Sequence, residues 1–276
     1  MFTTITVIET GHTSVIERTL AAAAFGQLPG TWPLPAASTP EQLWWRAVAA
    51  GGQGRYGSAY RDLAVLRRGV PADRLVSLAH STQGSFLRQL GWHRLARGWD
   101  GRALALAGAD AEASADALIG LAADALGVGR FAAAATLLGR VDPVAGPVPD
   151  RIPLRRGWVA AELAMASGDG ESAVRHAEEA VRLAEAMAVS SVRHRVKSDV
   201  VLAAALCSAG RIERARALAE AALYATGRSN LTPLRWALAC LLIDIESVTF
   251  SAQTLREIRD ICAGQVRRAG GAWRSA

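Results

Sequence analysis

The sequence predicts an all-α chain, an α-solenoid of about five helical hairpins, and three observations carry that expectation. A glycine followed five residues later by an alanine recurs as Gly54/Ala59, Gly91/Ala96, Gly127/Ala132, Gly168/Ala173 and Gly210/Ala215. Successive pairs are 37, 36, 41 and 42 residues apart, and each lies between two stretches of helical apolar pattern. Composition is the third observation: 51% of residues are hydrophobic, only 6% are aromatic, and alanine, which favours helices and lets them approach closely, is abundant. Units of this length cannot bury their own apolar faces and must stack.

Residues 1–40 stand apart from the repeats. An apolar strip, Phe2 to Ile8, precedes Ser14-Val15-Ile16-Glu17, which has the Ser-x-x-Glu form of a capping box. A helix through about Phe25 should follow and stop near Gly26. Pro29 to Pro35 then reads as an extended linker with Trp32 and Leu34 as anchors. Whether this segment packs on the first repeat is open at this level.

The repeats occupy residues 41–228. Thr39-Pro40-Glu41-Gln42 supplies an N-cap and a proline at the first helical position, opening a helix through Leu43, Trp44, Ala47 and Ala50. Gly54 turns the chain, and Tyr56, Ala59, Leu63 and Leu66 form the inner stripe of the partner helix. The second unit spans about Asp73 to Ala107 and turns at Gly91. The third spans about Glu112 to Val141 and turns near Gly127. Pro143 to Pro149 follows, a proline-rich connection that no helix crosses and a candidate hinge. The fourth unit, about Leu154 to Ala188, turns at Gly168, and the fifth, about Val192 to Thr226, turns at Gly210. Residues 229–276 form a capping pair and basic tail: Thr232-Pro233 starts a helix through Ile245, and Ser251 caps a last one, Leu255 to Arg268, with a stop at Gly270-Gly271.

Tight turns between antiparallel helices need positive φ, which glycine adopts with least strain. Five residues on, where two helices cross most closely, anything larger than a methyl would push them apart. Small residues recur seven positions after four of the five alanines, at Ala103, Gly139, Ala180 and Ala222, with Leu66 as the exception. Seven positions before the turn glycines sit Ala47, Gly84, Gly120, Ala161 and Ala203. Within Gly98-Trp99-Asp100-Gly101, inside a predicted helix, two glycines suggest a close helix contact.

These three registers, over roughly residues 41–226, resemble the tetratricopeptide repeat family. The usual closing proline of each unit is absent, the large aromatic positions are mostly aliphatic, and the period is longer than the family's. The resemblance implies a right-handed solenoid whose first helices line a concave groove that binds peptides or proteins, without chemistry. Registered from the turns, the groove residues would be Ser81, Ser85, Arg88, Gln89, Asp124, Arg155, Trp158, Glu162 and Lys197, with Arg195 beside them. The basic groups Arg151/Arg155/Arg156 and Arg193/Arg195/Lys197 would stack into a positive mouth for an acidic peptide.

The net charge of +6 and pI near 10 also suit nucleic acid. Yet Lys197 is the only lysine, so the arginine, alanine and glycine bias reads as GC-rich coding, as in a high-GC bacterium. The alternative function is therefore a nucleic-acid-associated or transcription-linked regulatory module acting through a partner. His80, Ser85, His93 and Asp100 contain the residue types of a nucleophile, base and acid, but nothing in their spacing assembles them. No catalytic, cofactor-binding or metal residue is expected. Cys207, Cys240 and Cys262 lack the paired spacing of disulfides or zinc ligands and read as buried free thiols. Met1 to Ser14 has no basic n-region, and no apolar run approaches the roughly 20 residues of a membrane helix, so the expected location is the cytoplasm.

Overall fold

The computed structural model describes residues 14–69, 71, 73–142 and 146–274. The strip from Phe2 to Ile8 and part of the proline-rich connection lie outside the described residues. The chain is all-α: thirteen helices and no strand among the described residues.

Local sequence chemistry sets the helix starts. In α1 (Val15–Phe25) the capping box is complete, with Glu17 N donating to Ser14 Oγ at 3.1 Å and Ser14 N to Glu17 Oε2 at 2.9 Å. Thr39 caps α2 (Pro40–Gly52), where Pro40 lacks only an N–H that would have had no helical partner. Aspartates cap α4 (Arg74–Gln89), α6 (Ala111–Leu126) and α9 (Gly170–Glu185) through Asp73, Asp110 and Asp169. Ser251 caps α13 (Ala252–Arg268). The remaining helices are α3 (Tyr56–Gly69), α5 (His93–Leu106), α7 (Phe131–Gly139), α8 (Arg151–Ala166), α10 (Val192–Ser208), α11 (Ile212–Arg228) and α12 (Thr232–Asp244).

Each even-numbered helix from α2 to α12 packs against the helix that follows it, giving hairpins. Successive even-numbered helices also touch one another, so α2, α4, α6, α8, α10 and α12 form one continuous layer. Glycine turns make the hairpins tight: Gly54, Gly91, Gly168 and Gly210 have φ of 78°, 88°, 78° and 72°.

The third turn departs from the expected register. Gly127 has helical φ of −66°, and the positive φ of 77° belongs to Gly129. Ala132 is consequently exposed, and Ala134 is the fully buried alanine five residues past the turn. The turn-to-turn intervals become 37, 38, 39 and 42 residues. In that corrected register Ala59, Ala96, Ala134, Ala173 and Ala215 are all 0% exposed. Seven residues before the turns, Ala47, Gly84, Ala122, Ala161 and Ala203 are all buried. Gly139 is exposed, and Val141 takes its place in the third register.

Gly127 and Gly120 are small for other reasons. A Cβ on Gly127 would lie 2.1 Å from His93 Nδ1. A Cβ on Gly120 or on Gly84 would lie 2.3 Å from an Asp100 carboxylate oxygen. The carboxylate of α5 thus occupies a slot between α4 and α6 that side-chain-free residues leave open.

Gly98 and Gly101 make no close contact: a Cβ at either would meet nothing within 4 Å, and both are exposed. Glycine there only adds unfolded-state entropy, so Gly98→Ala and Gly101→Ala should each raise stability by about 0.5–1 kcal/mol, read by urea denaturation.

The two ends of the helix series meet. Gly57 N donates to Ala269 O at 2.7 Å, Arg274 N to Leu90 O at 2.9 Å, and Trp92 Nε1 to Ala272 O at 2.7 Å. Val266 of α13 is buried in the same apolar cluster as Trp44, Tyr56 and Phe86, with Trp273 packed on it. The N-terminal segment docks at the same junction. Val192 N donates to Gly26 O at 3.2 Å, Gln53 Nε2 to Pro29 O at 2.8 Å, and Asn230 Nδ2 to Gly30 O at 3.3 Å. Leu34 is half-buried, but Trp32 is 41% exposed and lies under the Arg55 guanidinium at 3.9 Å rather than in the core. Among the described residues no helix is long and apolar enough to cross a membrane. The three cysteines are free; Cys262 is buried, Cys207 and Cys240 half-buried.

Candidate functional site

Because the helix series returns on itself, its inner layer lines a cavity of about 410 Å³. All six even-numbered helices from α2 to α12 contribute to the wall, together with Phe25 at the end of α1 and His93 at the start of α5. Eight of the ten groove residues expected from sequence line it: Ser81, Ser85, Arg88, Gln89, Arg155, Trp158, Glu162 and Lys197. Asp124 sits fully buried beneath Arg88. Arg195 is exposed and does not line the cavity. One helical step explains this, since Arg193 and Lys197 are i, i+4 and share a face that Arg195 cannot share.

Sequence reasoning placed Phe25 only at a helix end and did not assign Asp116 or His194 to the groove. Phe25 and Trp44 have ring centroids 5.2 Å apart, Phe25 and His194 6.2 Å, and Trp158 and His194 5.7 Å, the last pair tilted by 20°. These rings make a continuous aromatic wall. Trp158 is anchored from behind, its Nε1 donating to Ser198 Oγ at 2.9 Å. Ile119, Val159 and Leu234 add apolar surface.

The charges around this wall are mostly paired. Arg88 donates to Asp124 at 3.0 Å and to Asp100, both carboxylates being fully buried. Burial raises both acids, and Asp100 is pushed up to about 8 despite the guanidinium beside it, so near neutrality the pair shares a proton. Arg151 bridges Asp116 and Glu112, Arg155 also reaches Asp116, and Arg74 reaches Glu112. Burial raises the Asp116 carboxyl, but Arg155 and Arg151 outweigh it and hold it below the usual carboxylate range. Lys197 Nζ meets Glu162 at 3.2 Å.

Arg193 is different. Among the described residues it meets no carboxylate; its Nη1 donates to Val48 O at 3.2 Å and its guanidinium stands 5.6 Å from the Phe25 ring. Burial, then the like charges of Arg155 and Arg151, push it down to about 10, so it remains charged near neutrality. His194 beside it is held neutral there, its pKa driven well below the ordinary value by burial and by Arg193, with Nδ1 2.7 Å from Ser191 Oγ.

The positive mouth therefore differs from its expected form. Arg151 and Arg155 face internal carboxylates, and Arg156 pairs with Asp142 at 2.7 Å. His80 is buried against Trp99, ring centroids 5.3 Å apart, and burial followed by Arg67 and Arg102 pushes it down to about 4. Ser85 and His93 both line the cavity, but no hydrogen bond joins them among the described residues, and Asp100 is held by Arg88. No group of three or more potential metal-ligating side chains exists among the described residues. A second cavity, of about 350 Å³, adjoins the first at Arg88 and Gln89 and lies under Trp273 and Arg274.

The chain matches no protein-family model and no curated protein.

Proposed function

We propose that this chain is a non-catalytic binding module, an α-solenoid of five tetratricopeptide-like hairpins closed by a sixth, that holds part of a protein or peptide partner in its central cavity. The observation that carries the reading is convergence: six helices far apart in sequence present hydroxyl, amide, cationic and aromatic groups to one concave space. Pockets of this kind, mainly apolar with a few convergent polar groups, bind ligands. Ser81, Ser85 and Gln89 offer hydrogen bonds to a main chain, while Lys197 and Arg193 favour an acidic segment. The same reading places the protein in the cytoplasm with its cysteines as thiols.

A photo-crosslinking residue at Ser85 should capture a partner through an acidic segment, identified by mass spectrometry, whereas the same residue at the outward-facing Ala132 should not. Affinity for that segment should fall with salt, and Lys197→Gln should flatten the dependence. Equal capture from both positions would refute cavity binding.

A further inference from the structure

Four of the five cationic side chains lining the cavity have carboxylate partners: Arg88 with Asp100 and Asp124, Arg151 with Glu112 and Asp116, Arg155 with Asp116, and Lys197 with Glu162. The fifth, Arg193, has among the described residues a single hydrogen-bond acceptor, Val48 O. A guanidinium carries five donors in a planar fork, so most of its capacity is unused by that bond. Its position is also fixed. Gly52 leaves room for its stem, since a Cβ there would lie 3.2 Å from Arg193 Cδ, and Phe25 flanks its head at 5.6 Å. A part-buried cation beside like charges and without a counter-ion is an arrangement that an anion would complete.

What surrounds Arg193 specifies the rest of such a ligand. The Trp44, Phe25, His194 and Trp158 rings follow one another beside it, neighbours tilted by 46°, 27° and 20°, and His194 is neutral, so the row of rings adds no second charge. The cavity volume of about 410 Å³ falls in the range of small-molecule sites. We infer that the Arg193 corner of the cavity is a binding site for a small organic anion, a single carboxylate or phosphate head on an aromatic body, with the head on Arg193 and the body against Phe25, Trp158 and His194. This rests on the cavity being a binding site, but not on the partner being a peptide. It makes the module responsive to a small molecule as well as to a macromolecule.

The test uses the full chain and isothermal titration calorimetry with 2-naphthoate, 2-naphthyl phosphate and the neutral 2-naphthamide. At least one of the two anions should bind with one-to-one stoichiometry, and the amide at least about tenfold more weakly. Arg193→Gln should abolish the preference for the anion, while Arg94→Gln, a change on the exposed face of α5, should leave it intact. Comparing acid with amide on the unaltered chain needs no variant, so a folding defect in Arg193→Gln cannot hide the answer. Equal binding of acid and amide, or no binding of either anion up to millimolar concentration, overturns the site. Silence toward the anions with crosslinking from Ser85 intact would remove this site alone; anion binding without any partner captured would sustain it and remove the peptide reading.

Discussion

Replacing Arg88 with methionine should destabilise the fold by about 3–5 kcal/mol, because it strands the negative charge of the proton-sharing Asp100/Asp124 pair in a dry slot. Asp100 and Asp124 are both 0% exposed, and Arg88 is the cation that contacts them. Gly84 and Gly120 lie so close to the Asp100 carboxylate that a Cβ on either would sit 2.3 Å from one of its oxygens. Adding Asp100→Asn and Asp124→Asn to Arg88→Met should recover more than half of the loss, measured by urea denaturation. If the triple variant is no more stable than the single one, the charges are not the cause. Arg151→Met gives the contrast. Its carboxylates keep other partners, Asp116 retaining Arg155 and Glu112 retaining Arg74, so its cost should stay near 1–3 kcal/mol.

The same slot predicts a pH dependence of definite sign. The folded-state pKa of Asp100, about 8, lies above its unfolded value, so the folded state holds a proton that the unfolded state releases. Stability from this group is full below the unfolded pKa and declines as pH rises toward 8. His80 works in the opposite sense: with a folded pKa near 4, its contribution is present above 6.5 and lost as pH falls. Between pH 6.5 and 8 the acid term stands clear of the histidine term. Thermal melts should show stability falling across that interval in the wild type and nearly flat in Asp100→Asn. A parallel fall in both proteins would show that Asp100 is not its source.

Ala134→Leu should cost about 1–3 kcal/mol by overpacking, with larger losses where helices cannot separate. Ala132→Leu, two residues earlier, should stay within about 0.5 kcal/mol of wild type. Ala134 is 0% exposed at the crossing of the third hairpin, while Ala132 faces outward. The pair distinguishes the register set by Gly129 from the one set by Gly127, and a reversed order of costs would contradict the positive φ at Gly129. The sequence Gly127-Val128-Gly129 does not reveal which glycine takes the turn, because either accepts positive φ. The deciding fact is remote: the His93 ring fills the space where a Gly127 side chain would stand. Its smallness is a packing requirement from the previous hairpin, and local spacing mistakes it for a turn signal.

Much of the candidate site was legible for the same reason that the helices were. Side chains three or four apart share a helical face, so register from three correctly placed turns, Gly91, Gly168 and Gly210, selected Ser81, Ser85, Arg88, Gln89, Arg155, Trp158, Glu162 and Lys197. Asp124 followed the register too, but lies beneath the wall as an internal partner of Arg88. Arg195 was grouped by proximity to its basic neighbours, and proximity along the chain is not a shared face. Asp100 entered the sequence reading only as the acid of an unassembled set with His80, Ser85 and His93, and is instead the buried centre of a charge cluster.

Most helix positions, the caps at Ser14, Thr39 and Ser251, and four of the five hairpin turns followed from the sequence alone, since each depends on residues within one or two turns: a capping hydroxyl, an apolar period, a methyl at a crossing. Closure of the series, and with it the cavity, depended on tertiary structure. Small rotations between hairpins accumulate over six units, and whether α13 meets α3 is decided by their sum. That sum brings Ala269 to Gly57 and Arg274 to Leu90. It also places the uncompensated charge of Arg193 beside aromatic rings from α1, α2 and α8, a meeting of residues up to about 170 positions apart that no local pattern records.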